Sequence, residues 1–435
     1  MVEKINEIID EIEEEMIAIR RDFHQYPESA WTEFRTASMV ARKLKDMGYS
    51  IKLGKEVMNE KDRMGVPHEE QLEKHYKRAL DQGADREFVE KLKGGFTGVV
   101  GLLDCGDGPI VALRFDMDAV EVGECKERAH FPYKEGFASV NENVMHACGH
   151  DGHTTIGLAV AKALMGIKDQ LKGKIKLIFQ PAEEGVRGAK SMTTSGILDD
   201  VDIIMGGHIG IKAKGSGMLF CGTSGFLATS KFDAYFKGIS THAGATPEKG
   251  KNALLAAASA AMNLHAIPRH SEGFTRINVG KLVAGTGRNV IPSNAHMLIE
   301  TRGENSELNE YMRESAKRIL KNAAEMYDVD LDLQFMGAAE SGESDEELIV
   351  RAKGLAEKLD AFQMVTDEKI DLGGSEDFAY MMKKVQSQGG KAIYMLFGSD
   401  IKDDHHNSKF DFDEKDLKGA AKIFSLLVHD LLKRG

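Results

Sequence analysis

The chain has 435 residues, more than one ordinary core holds at roughly 150 residues per domain. Hydrophobic residues make up 42% and charged residues 29%, a globular balance that excludes disordered, coiled-coil and collagen-like chains. The formal charge of −12 excludes a general nucleic-acid binder, which needs a basic stripe, and gives no attraction to an anionic membrane.

Residues 1–21 are acidic and amphipathic, with Ile5, Ile8, Ile9, Ile12 and Met16 at helical spacing. A secretory signal would show a basic start and an apolar run, and no stretch approaches the ~18 apolar residues of a membrane span. The expectation is a first helix in a cytoplasmic protein. Four sparse, unpatterned cysteines (Cys105, Cys125, Cys148 and Cys221) suit that reducing compartment. The charged segment 54–95 reads as two surface helices, 68–82 and 85–93, with Pro67 just before the first. Short apolar runs at 97–103, 110–115, 175–179 and 203–205, with a helix at 154–164 between them, predict a layered α/β domain with a largely parallel sheet.

Near Gly222 the pattern changes. A strand (231–237), an Ala-rich helix (252–267), two strands (276–282 and 295–301), a long helix (306–327) and a strand (329–335) follow. This β-α-β-β-α-β order is that of a ferredoxin-like domain. A helix (346–359), a strand (392–397) and a terminal helix (414–432) resume the first style. The expected organisation is an α/β domain formed by 1–221 and 338–435, with a small α+β domain, 222–337, inserted into it.

The densest chemical cluster is His146-Ala147-Cys148-Gly149-His150-Asp151-Gly152-His153. Imidazole and thiolate are strong ligands for borderline metals such as zinc, and the two glycines let the backbone turn so that side chains converge. Glu183-Glu184 follows the strand 175–179, and His208 stands at another strand end, where open α/β sheets gather their sites. One glutamate of such a pair can bind metal while the other moves protons; by itself the pair reads equally as a solvated acidic turn. Asp116 and Asp118 share one strand face and suit either metal ligation or the orientation of ligating imidazoles. His405-His406 lies in a polar loop from which a distant ligand can arrive. Ser375 offers a helix cap, with Asp377 in the first turn. An acidic enzyme acting on an anion also needs local cations, so arginines beside these motifs matter.

These motifs, with Arg21-Asp22-Phe23-His24, Thr241-His242-Ala243, Asn289-Val290-Ile291-Pro292 and Gly374-Ser375-Glu376-Asp377-Phe378, cover nearly the whole chain in order. Together they resemble the dinuclear metallo-amidohydrolases that include hippurate hydrolase, indole-acetyl-amino-acid hydrolases and bacterial aminoacylases. The charged segment 54–95 and Gly285-Thr286-Gly287-Arg288-Asn289 are most similar to the branch that cleaves p-aminobenzoyl-glutamate. The resemblance implies an αβα metallopeptidase-like catalytic domain with an inserted ferredoxin-like dimerisation domain. It implies two divalent metal ions (zinc or manganese, with cobalt possible) held by Cys148, His150, Glu184, His208 and His406. His406 is preferred to His405 because the family ligand sits four residues before the Phe, here Phe410.

The implied reaction is attack of a metal-bridging water on the amide of p-aminobenzoyl-glutamate or a similar N-acyl amino acid. Glu183 would be the general base. Asp118 would belong to the catalytic set, and His242 would cross a dimer interface to stabilise the oxyanion. Asn289 and Arg302 would hold the substrate carboxylate. Arg187 and Arg288, where the family pattern has small residues, are candidates for a second carboxylate. The expected partners are a small anionic amide and a second subunit, identical or related. The alternatives are a hippurate-type aminoacylase and a non-catalytic subunit of a heteromeric hydrolase.

Overall fold

In the computed structural model, residues 1–434 are described. Their strands in chain order are β1 (Ser50–Leu53), β2 (Val99–Asp104), β3 (Ile110–Asp116), β4 (Lys174–Gln180), β5 (Ile203–Lys214), β6 (Met218–Ser224), β7 (Ala228–Lys237), β8 (Thr275–Ala284), β9 (Asn294–Gly303), β10 (Asp330–Ala339), β11 (Met364–Asp371) and β12 (Lys391–Ser399). The chain forms two compact units. One is Met1–Gly225 with Gly342–Leu372 and Asp377–Gly435; the other is Phe226–Ser341 with Gly373–Glu376.

The larger unit holds an eight-stranded sheet in the order β1-β2-β4-β3-β5-β12-β6-β11. The expected largely parallel sheet is in fact mixed. The run β4-β3-β5-β12 is parallel, whereas β1, β2 and the β12–β6 pair are antiparallel. The turn 105–109 reverses the chain between β2 and β3, so β4, which runs parallel to β3, is antiparallel to β2. Helix His150–Gly166 packs on β3, β4 and β5 from one face and meets the helix Asp416–Leu432. Beyond its polar first turns it is largely apolar, and it is buried along most of its length, as a helix between a sheet and other helices must be. A Cβ at Gly157 would stand 2.6 Å from the Phe115 ring, so glycine permits this close approach to β3. Helix Phe378–Ser387 covers the opposite face, with Phe378 against Gly206 of β5. The layers are therefore helix, sheet, helix.

Three local expectations change. The first helix breaks at Ile12 into Val2–Glu11 and Glu13–Gln25. In the charged segment, helix Glu69–Asp81 is not merely a surface element. It buries Leu72, Tyr76 and Ala79, and the next turns bury Phe88, Val89 and Leu92. Asp377, not Ser375, stands at the N-cap of the helix that begins at Phe378.

The smaller unit is a four-stranded antiparallel sheet in the order β10-β7-β9-β8. Helices Ala253–His265 and Ser306–Met326 pack on it. Asn252 and Asn305 cap those helices through their side chains, and Phe232, Phe236, Met297, Met312 and Leu320 fill the core between helices and sheet. Strand order and connectivity are those of a ferredoxin-like unit. Among the described residues, no helix is long and apolar enough to cross a membrane.

Candidate metal centre

The four adjacent parallel strands β4, β3, β5 and β12 bring their carboxyl ends together, and the candidate ligands gather there. Gly149, at φ 90°, turns the chain into the helix that starts at His150. This presents Cys148 and His150 beside His208 of β5; the Cys148 Sγ to His208 Nε2 distance is 3.4 Å. Glu184 comes from the loop after β4 and His406 from the loop after β12, with Glu184 Oε1 3.2 Å from His406 Nε2. Among the described residues five groups have donor atoms within 4.8 Å of one another, and two of them, Cys148–His150–His208 and Cys148–Glu184–His406, combine the expected ligands. Cys148 belongs to both.

Hydrogen bonds fix which imidazole nitrogens are free. His150 Nδ1 lies 2.8 Å from the Asp118 carbonyl, and His208 Nδ1 lies 2.7 Å from the Ile209 carbonyl. A carbonyl only accepts, so both Nδ1 atoms carry a proton and both Nε2 atoms are the ones left to face the cluster. His150 Nε2 is buried without a hydrogen-bond partner. His153 is different. Its Nδ1 meets Asp116 Oδ1 at 2.6 Å, and its Nε2 accepts the Ile209 amide at 2.9 Å, so neither nitrogen is left for a metal. His405 Nε2 is engaged with the Ile209 carbonyl at 3.2 Å, which leaves His406 as the histidine of that pair facing Cys148 and Glu184. His146 is buried beside His24, with ring centroids 6.4 Å apart, and joins neither donor group.

The electrostatics favour a cation. Hydrogen bonding to Cys148 and Glu184 pushes the His406 pKa up to about 10. Burial would lower the His150 pKa, yet Asp116 and Cys148 hold it well above the ordinary imidazole range. Burial and the neighbouring His153 and His405 keep His208 neutral. Burial, with Glu184 nearby, raises the Cys148 thiol, so its thiolate form needs a positive partner. His150, His406 and Cys148 hold protons that an incoming cation would displace, and the thiolate, imidazoles and carboxylate then left are the donor set of a borderline divalent metal, so the chain's residues fit such an ion.

Three buried carboxylates hold the loop that carries Glu183 and Glu184. Glu33 accepts the Ala182 amide at 2.8 Å. Asp118 accepts the amides of Glu183 and Glu184 at 3.0 and 2.9 Å. Asp377 accepts those of Gly188 and Ala189 at 3.1 and 2.9 Å. This clamping sustains a costly backbone: Ala182, Gly185 and Val186 all have positive φ, and for β-branched Val186 that is a genuine outlier. Glu183 Oε2 ends 3.9 Å from His150 Nε2, beside the donor groups. Behind them, Asp151 is locked by the buried Arg20 and His24, both at 2.8 Å. Arg187 folds over Gly185, where a Cβ would meet its Nε at 2.6 Å, and lines a cavity of about 300 Å³ beside Glu184.

Sequence reasoning missed Glu33, and Glu124, which meets His24 and His130 at 2.9 and 2.8 Å, and it placed Asp377 in a helix start without its clamping role. Their partners lie up to 263 residues away, as for Asp377 and Arg114, and no local pattern marks those pairings.

The other candidates lie in the smaller unit. His242 and Val290 form a β-bridge, and the Ala243 amide donates to the Asn289 carbonyl at 2.9 Å, so His242 and Asn289 adjoin. Both are exposed, as is Arg288. Arg302 is paired with Glu300 at 3.2 Å. It lies eight positions beyond the start of β9, about 27 Å at ~3.4 Å per residue, whereas Asn289 precedes that start. Within one chain, Asn289 and Arg302 therefore sit at opposite ends of the strand.

Residues 112–430 match the sequence profile described as Peptidase family M20/M25/M40. The chain is 46% identical over 425 residues to a subunit of the p-aminobenzoyl-glutamate hydrolase of Escherichia coli, covering 98% of this chain and 97% of that protein. It is also 46% identical over 423 residues to indole-3-acetyl-aspartic acid hydrolase of Enterobacter agglomerans, covering 97% of each. The crystal structure of an aminobenzoyl-glutamate utilization protein from Klebsiella pneumoniae superposes with a TM-score of 0.85 at 40% identity, covering 98% of each chain.

Proposed function

The chain belongs to peptidase family M20/M25/M40, and on that premise we propose that it is a metal-dependent amidohydrolase cleaving the amide between an aromatic acyl group and an acidic amino acid. The two relatives at 46% identity are named for p-aminobenzoyl-glutamate and for indole-3-acetyl-aspartate, and these compounds share that chemistry. The observation that carries the reading is the sharing of Cys148 by two donor groups, with Glu183 beside them.

Two divalent ions (zinc, manganese or cobalt) would be held by Cys148, His150, Glu184, His208 and His406, and would supply Lewis acidity to the amide carbonyl and acidify a water. Glu183 takes the proton of the attacking water and passes it to the departing amine nitrogen. Asp118 positions Glu183 and Glu184 through their amides. His242 donates to the developing oxyanion from a partner protomer, and Asn289 and Arg302 bind the α-carboxylate. Because these two stand at opposite ends of β9, one carboxylate reached by both is held by two different chains. The Escherichia coli relative is named as one subunit of its hydrolase, which supports a second protomer here, identical or related. The four unpaired cysteines suit a cytoplasmic enzyme.

The test is incubation of the purified, zinc- or manganese-loaded protein with p-aminobenzoyl-glutamate, indole-3-acetyl-aspartate and hippurate, with products read by mass spectrometry. Release of the free amino acid from the first two is expected. Intact substrates across the panel would overturn the reading.

A further inference from the structure

Helix Glu69–Asp81, in the charged segment, forms a wall of the cavity beside Glu184. Its apolar stripe, Leu72, Tyr76 and Ala79, is buried and holds the helix in place. Gln71 and His75, one helical turn apart, both line the cavity, and Arg187 lines it too. Three polar atoms of its lining side chains are buried without a hydrogen-bond partner: His75 Nδ1, Arg187 Nε and Glu184 Oε1. Glu184 belongs to the donor group with Cys148 and His406, which accounts for its oxygen. Buried polar groups are normally paired, and the two remaining orphans are nitrogens, which point to a ligand that supplies acceptors. An imidazole N–H and a guanidinium match a carboxylate, which has acceptors only. Glu121, the other carboxylate lining the cavity besides Glu184, is exposed and solvated. At about 300 Å³ the space is at the lower end of small-ligand sites, enough for one side chain rather than a whole substrate. Glu184 both joins a donor group and lines the cavity, so a substrate held at the metal centre has this cavity next to it.

We propose that the cavity lined by Gln71, His75 and Arg187 is the subsite for the side-chain carboxylate of the substrate's acidic amino acid. The charged segment is thereby a specificity element, selecting glutamate- or aspartate-type amides over neutral ones. The inference rests on the amidohydrolase reading and deepens it.

The test compares p-aminobenzoyl-L-glutamate with p-aminobenzoyl-L-glutamine, which replaces only the side-chain carboxylate by an amide. kcat/KM is measured for both on the metal-loaded wild type and on Arg187→Ala, His75→Ala and Gln71→Glu. The last places a carboxylate at an exposed position of the wall and leaves the helix stripe intact. Each variant should lose ~10- to 100-fold on the glutamate compound and less than about 3-fold on the glutamine compound. Equal losses on the two compounds, or none, would overturn the subsite. A second readout is Kd for both compounds on the Glu183→Gln enzyme with and without Gln71→Glu. If wild type hydrolyses neither compound, the amidohydrolase reading falls, and Kd decides the subsite separately. Weaker binding of the glutamate compound alone supports it, and equal Kd values for the two compounds overturn it.

Discussion

The Asp118 carboxylate accepts the backbone N–H of Glu183 at 3.0 Å, and its other oxygen accepts that of Glu184 at 2.9 Å. One buried side chain thus sets the position of both the proposed base and a proposed ligand. Asp118→Asn keeps the shape but offers one accepting oxygen and turns an NH₂ group toward an amide. An unsatisfied buried donor costs about 1–3 kcal/mol, and a misplacement of ~1 Å costs about 100-fold in rate. The expected result is a lower Tm and a kcat loss of ~10- to 100-fold with KM little changed. Wild-type kcat and Tm in this variant would show that the clamp does not position the base.

Glu183→Gln removes proton transfer while keeping size and the backbone clamp. Turnover should fall by ~100- to 10,000-fold, with metal content per chain, read by inductively coupled plasma mass spectrometry, equal to that of wild type. A variant that keeps its rate, or that loses metal, would remove Glu183 from the role of base.

Much of this was legible in the sequence where elements are long and periodic. The helix Ser306–Met326 and the strands of the smaller unit follow from their spacing, and so does the gathering of ligand types at strand ends. Short or polar elements escaped. β1 has four residues, and β11 carries Asp367, Glu368 and Lys369 with little burial, so neither shows an apolar signal. The direction of pairing escaped as well, because a strand's residue pattern does not say which neighbour it takes. Asp118 and Asp377 stood out in the sequence, but their clamping of the Glu183 loop, and Glu33 altogether, did not, for a different reason. A buried carboxylate that accepts distant amides looks, in sequence, like any surface acid.

His405 and His406 separate cleanly by hydrogen bonding, since His405 Nε2 is spent on the Ile209 carbonyl and His406 faces Cys148 and Glu184. His406→Ala should lower bound metal, whereas His405→Ala should keep it and cost stability through lost packing on Phe410, whose ring centroid lies 4.8 Å away. The measurement is metal content together with Tm for both variants. Metal loss in His405→Ala alone would reverse the assignment. Complete alkylation of Cys148 should also release metal, because that thiol belongs to both donor groups.

The final prediction concerns pH and the buried pair His24–Glu124, 2.9 Å apart. Burial and the nearby Arg20 work against a charged His24, but hydrogen bonds to Asp151 and Glu124 prevail and push its pKa up to about 9. Burial likewise works against a charged Glu124, but hydrogen bonds from His130 and His24 bring it down to about 2. The signs follow from linkage. A histidine whose folded pKa is raised contributes its full stabilisation below about 6.5, its unfolded value, and loses it as pH rises to about 9. A glutamate whose folded pKa is lowered contributes fully above about 4.5 and loses that as pH falls toward 2. Both contributions are complete only between about 4.5 and 6.5. Over the alkaline window the His24 contribution that disappears is roughly 3 kcal/mol. Thermal melts should therefore show wild type losing Tm between pH 6.5 and 9, and His24→Gln losing much less across the same range. Parallel Tm curves for the two proteins over that window would show that His24 is not charged in the folded state.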